Sequence, residues 1–110
     1  MAGMIDHDLR DFAQAVNNLR TDPTNELLRQ KVHETSRFVW LSAMEAAELY
    51  KGVIEDVGWV EGKTRAQLIK EGFEEALALM SPVCDDYLRA VKSRWDGLQR
   101  FIVHVIRNTT

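Results

Sequence analysis

Hydrophobic residues recur along this chain at steps of three and four, the spacing that gathers side chains on one face of a helix. The first such stripe is Ile5, Leu9, Phe12, Val16 and Leu19. Asp6, Asp8 and Asp11 lie in its early turns, where the positive end of the helix dipole favours carboxylates. Thr21-Asp22-Pro23 ends it, because a residue before proline is pushed out of α geometry.

Thr24 reads as the cap of a second, long helix in which Leu28, Val32, Thr35, Val39, Ala43, Ala46, Tyr50, Val53 and Val57 keep the helical period. Between Phe38 and Tyr50 it is apolar on most sides, with Ser42, Glu45 and Glu48 as a narrow polar stripe. A helix of that kind is expected to be surrounded by protein. Gly52 need not end it, since an interior glycine costs only about 1 kcal/mol against alanine. Gly58-Trp59-Val60-Glu61-Gly62 reads as a turn.

A third stripe follows in Ala66, Ile69, Phe73, Ala76 and Met80. Ser81-Pro82 then pairs a capping oxygen with proline at a first helical position. The fourth stripe is the most regular: Cys84, Leu88, Val91, Trp95, Leu98, Ile102 and Val105 alternate steps of four and three, a coiled-coil-like seam. Its end, Phe101 to Ile106, is also rich enough in β-branched and aromatic residues for a strand, but the unbroken phase predicts helix.

These patterns predict an all-α antiparallel bundle of four helices in a single domain over 1–110, at roughly 4–20, 24–57, 63–80 and 82–107. The second helix would be about 50 Å long and the first and third about 25 Å, at 1.5 Å per residue. A compact chain of this size has a radius of gyration near 13 Å. Either the second helix bends or a second copy covers the overhang, so self-association as a homodimer is expected. Trp40, Met44, Tyr50, Trp95, Phe101 and Val105 are the candidate interface residues.

Composition changes little in that picture. The chain has 110 residues, 45% of them hydrophobic, a single cysteine and a formal charge of −3. One cysteine cannot form an internal disulfide, which makes the cytoplasm the expected compartment. The N-terminus carries acids where a secretory signal would carry positive charge, and no apolar run is long enough to span a bilayer.

Candidate chemistry is sparse. No Glu-x-x-His accompanies Glu45-x-x-Glu48 or Glu71-x-x-Glu74, and His7, His33 and His104 fall on three different helices, so no metal and no cofactor is expected. Cys84 has Asp85 and Asp86 beside it, which oppose thiolate formation, and is read as core packing. Without a paired acid and base or a phosphate-binding loop, no enzymatic activity is expected.

Charge is uneven along the chain: residues 1–57 carry six Lys and Arg against ten Asp and Glu, residues 82–110 five against three. Arg89, Lys92, Arg100 and Arg107, with Arg94 at the flank, make the last helix basic on its outer face. The expected function is that of a small interaction or regulatory protein working through protein contacts. One alternative is a bundle holding a hydrophobic small ligand against Trp40, Phe73, Met80 and Trp95. Another is weak nucleic-acid binding through the basic face.

Overall fold

A computed structural model describes the backbone of residues 2–49 and 51–109 and the side chains of residues 4–49 and 52–103. Four helices form a bundle: α1 Ala2–Leu19, α2 Glu26–Leu49, α3 Arg65–Met80 and α4 Asp86–Thr109. No strand occurs among the described residues, and an isolated bridge pairs Val57 with Thr64. None of the helices is long and apolar enough to cross a membrane, among the residues described.

The stripes explain which faces turn inward. Ile5, Leu9, Phe12, Val16 and Leu19 of α1 are all buried, as are Ile69, Phe73, Ala76 and Met80 of α3 and Val91, Trp95, Leu98 and Ile102 of α4. Phe73 lies at the centre, its ring 4.8 Å from that of Phe12 and stacked on Trp95 at 5.3 Å. The close approach of α1 to α3 depends on Gly72, where a Cβ would stand 2.9 Å from the Phe12 ring.

Around the bundle the order is α1, α2, α4, α3. Asp8 meets Ser42, so α1 and α2 form an antiparallel hairpin, and α3 and α4 form another across the short turn that joins them. Arg29 meets Asp85 and Ser36 meets Arg94, so α2 and α4 run the same way, as do α1 and α3, which are tied at their starts by Asp6 and Arg65.

The boundaries differ from expectation at three places. Asn25, not Thr24, caps α2: its Oδ1 accepts from Leu28 N at 3.2 Å. The second helix does not run to residue 57; α2 ends at Leu49, and a 3-10 turn over Lys51–Ile54 follows, with Glu55 N and Asp56 N both donating to Gly52 O. This turn buries Val53 and Ile54 together, and Arg65 donates to the Val53 carbonyl, which also accepts from Asp56 N. The loop then reverses through Gly62, whose φ of 83° suits glycine.

The fourth helix starts at Asp86 instead of residue 82. Ser81 closes α3, and Asp85 caps α4 by accepting from Leu88 N at 2.8 Å. Cys84 therefore precedes the helix and is exposed, not a seam residue packed in the core. The run from Phe101 to Ile106 is helical. With α2 shortened to 24 residues, about 36 Å, the bundle measures 41 × 24 × 19 Å with a radius of gyration of 13.5 Å.

Candidate interaction surface

The second half of α2 was expected to be enclosed on all sides, and it is not. Its inner residues Val39, Ala43 and Ala47 are buried, and Trp40, Met44 and Ala46 pack against the core from its edge. On the outer side Phe38 is 55%, Leu41 43% and Leu49 73% exposed. Helix α2 packs mainly on α1 and α4, with the Lys51–Ile54 turn and α3 as lesser neighbours, so a helix apolar nearly all round leaves its far side in water.

Phe38 and Leu41 join Met4, itself 67% exposed, across the α1–α2 seam. Together with His7, Asp8, Ser42 and Glu45 they line an open cleft of about 610 Å³. Its floor is apolar and its rim acidic. Asp8 is fixed by a hydrogen bond from Ser42 Oγ, which ties the rim of α1 to α2. His7 Nδ1 lies 3.6 Å from Asp8 Oδ1 and 3.5 Å from Asp11 Oδ2. Ligand atoms of these three residues lie within 4.8 Å of one another, and His7 and Asp11 are open to solvent. They form the polar rim of the cleft.

The residues singled out from sequence fall mostly one turn of phase away from this surface. Trp40, Met44 and Phe101 are half-buried at the edge of the core. Trp95 is buried against Phe73, and the side chains of Tyr50 and Val105 lie outside the described residues. Phe73 and Met80, expected to line a ligand cavity, are fully buried, and the Phe12–Phe73–Trp95 stack occupies the middle of the bundle.

The basic face of α4 is thinner than its residue count suggested. Arg94 turns inward, its Nη1 donating to His33 O at 2.9 Å and Ser36 Oγ at 3.1 Å. Arg89 is paired with Asp86. Lys92 and Arg100 are exposed, and the side chain of Arg107 lies outside the described residues, as does that of His104.

Sequence reasoning missed the buried arginines. Arg29 is 1% exposed; its Nε donates to Asp85 Oδ2 at 2.7 Å and its Nη2 to Asp85 Oδ1 at 2.9 Å. Three carbonyl oxygens, of Pro23, Met80 and Val83, accept its remaining bonds. The Arg29 hydrogen bond pulls the Asp85 carboxyl down to about 2, against the opposing effect of burial. Arg65 makes a similar fork on Asp6 at 2.9 and 3.0 Å. For Arg29 a signal existed: it is in phase with Val32, Ser36, Val39 and Ala43, all buried.

At the α2–α4 contact, Arg94 Nη2 stands 3.4 Å from His33 Nε2 and the Tyr87 ring 5.5 Å from the imidazole. Partial burial, then the Arg94 charge, lowers the His33 pKa from 6.5. Comparison with known proteins adds no relative: no family model, curated protein or solved structure matches the chain.

Proposed function

We propose that this chain is a small helical interaction protein that docks a protein partner on the outer face of α2 and the adjoining turns of α1. One observation carries the reading: Phe38, Leu41, Leu49 and Met4 are large apolar side chains that the fold leaves in water on one side of the molecule. Single exposed hydrophobes are ordinary, but several grouped around one cleft on a small domain are characteristic of contact surfaces. A cleft between two helices suits a third helix laid along it, with apolar anchors entering at helical spacing.

The helix-length argument for a second copy rested on a second helix running to residue 57, and α2 stops at Leu49. The cytoplasm is the compartment that suits an exposed single thiol such as Cys84, which would otherwise be open to oxidation.

A photo-crosslinking residue at position 41, introduced into the full chain in its native cells, tests the proposal. The expected result is a discrete protein adduct from position 41 and none from position 74, an exposed site on α3. Equal patterns from both positions, or none from 41, would overturn it.

A further inference from the structure

Resting on the interaction reading above, we infer that the α1–α2 cleft is built for a cationic amphipathic helix of another protein, not for a second copy of this chain. The residues lining the cleft include Asp8 and Glu45 and no Lys or Arg. Asp11 extends the acidic rim through its contact with His7. Along the exposed side of α2, Glu34, Glu45 and Glu48 face solvent with Lys31 and Arg37 among them, three carboxylates against two cations. The anchors Phe38, Leu41 and Met4 thus sit in a cleft whose own charged lining residues, Asp8 and Glu45, are acidic and whose wider border holds more carboxylates than cations.

That border decides between occupants. Two copies joined through this face would bring acidic rims together, and like charges set opposite one another oppose association. Of this chain's helices, α4 is the basic one, yet its outer face is a poor fit. Arg89 is already paired with Asp86, Arg94 is bonded to His33 and Ser36, and Val103 is its large exposed hydrophobe among the described residues. Among the described residues of α4, one exposed valine is too little to fill a cleft floored by a phenylalanine, a leucine and a methionine. A partner helix with apolar residues at i, i+3, i+4 and i+7 and Lys or Arg along its flanks satisfies floor and rim together.

The probes are synthetic peptides of roughly 18 residues, five helical turns: one of leucine and lysine in that spacing, one of the same composition in scrambled order, and one of leucine and glutamate. Fluorescence anisotropy against the full chain is expected to show binding of the first only. Phe38→Ser or Leu41→Gln should weaken it by about tenfold or more, the scale of losing one anchor. Glu45→Lys should weaken it also, and Glu74→Lys on α3 should not. Circular dichroism of each variant checks that the fold is kept.

Equal binding of the scrambled peptide, or no effect of both Phe38→Ser and Leu41→Gln, would overturn the inference, since attraction would then be diffuse charge alone. Light scattering that returned twice the chain mass, reduced to one by Leu41→Glu, would also overturn it while leaving the interaction reading in place. Loss of the position-41 adduct in cells would remove that reading itself.

Discussion

The two halves of α2 handle water in opposite ways. Its first half buries a full charge, Arg29, with Leu27 as its one large exposed hydrophobe, and its second half exposes Phe38, Leu41 and Leu49. Burying an arginine is costly unless every donor finds a partner, and here a carboxylate and three carbonyls meet it. The cost is met by closing one end of the bundle, where the α1–α2 turn, the end of α3 and the cap of α4 converge on one guanidinium. The exposed phenylalanine closes nothing. A polar group inside and an apolar group outside are both exceptions to ordinary partition, but only the first is explained within the monomer.

Breaking the buried half should have the largest effect. Arg29→Met leaves Asp85 without its partner and three carbonyls without a donor, and is expected to lower unfolding stability by about 3 kcal/mol, the scale of removing one member of a buried pair. Urea denaturation followed by circular dichroism measures it, and an unchanged midpoint would show that the fork on Asp85 contributes nothing net.

Acid should act on the same contact. The Asp85 carboxyl titrates at about 2 in the folded chain against 3.8 ordinarily, so its contribution is complete above 3.8 and is lost as pH falls toward 2. The wild-type chain is therefore expected to lose stability more steeply than Arg29→Met across that interval. Parallel slopes for the two proteins would assign the acid sensitivity to other groups.

The contrast between the halves also separates what could be read from sequence from what could not. The stripes of α1, α3 and α4 were legible because each is apolar on one side only and, Ala15 and Arg65 apart, their buried residues among those described are the ones the spacing selects. In α2 that rule fails twice. Apolar positions on every side predict enclosure, yet the number of neighbours is set by how many helices the bundle has, and four leave an outer face. The stripe also continues through Val53 and Val57, and periodicity cannot distinguish a running helix from a 3-10 turn that buries Val53 and leaves Val57 in water.

Local chemistry was legible by residue type more than by position. Thr24 and Ser81 are the caps the sequence predicts, and Asn25 and Asp85 do the capping, one and four positions further on, while the capping box of Thr64 and Gln67 at α3 went unread. Asp85 is drawn into that role partly by Arg29, fifty-six residues away in sequence, a contact no local pattern contains. Within the apolar stretch from Phe38 to Tyr50, phase decides which side chains face out. Trp40 and Met44 drew attention for their residue type, and Phe38 and Leu41 beside them are the ones left outside.

Breaking the exposed half should barely change stability. Phe38→Ser and Leu41→Gln remove apolar surface already in contact with water, and each is expected to stay within about 0.5 kcal/mol of wild type. The same denaturation measurement checks it. A loss comparable to that of Arg29→Met would mean that the outer face of α2 supports the monomer after all, and the difference between the two halves would disappear.

The smallest effect is expected at the junction of the two halves, where His33 faces α4. Its imidazole accepts from Arg94 while neutral, with Glu34 and Arg37 beside it on α2 and Tyr87 and Arg94 opposite on α4. Burial and the arginine hold its folded pKa below 6.5, so the unfolded chain takes up the proton first. Stability is then complete above 6.5 and declines as pH falls below it, the reverse of a histidine gaining an acidic partner. His33→Gln keeps a side-chain acceptor for Arg94 and removes the titration, so its stability should be level between about pH 7.5 and pH 5.5, the range in which an ordinary histidine changes charge. A wild-type chain that gained stability over that fall would place Glu34 above Arg94 in setting the histidine's charge, and the α2–α4 contact would then tighten in acid.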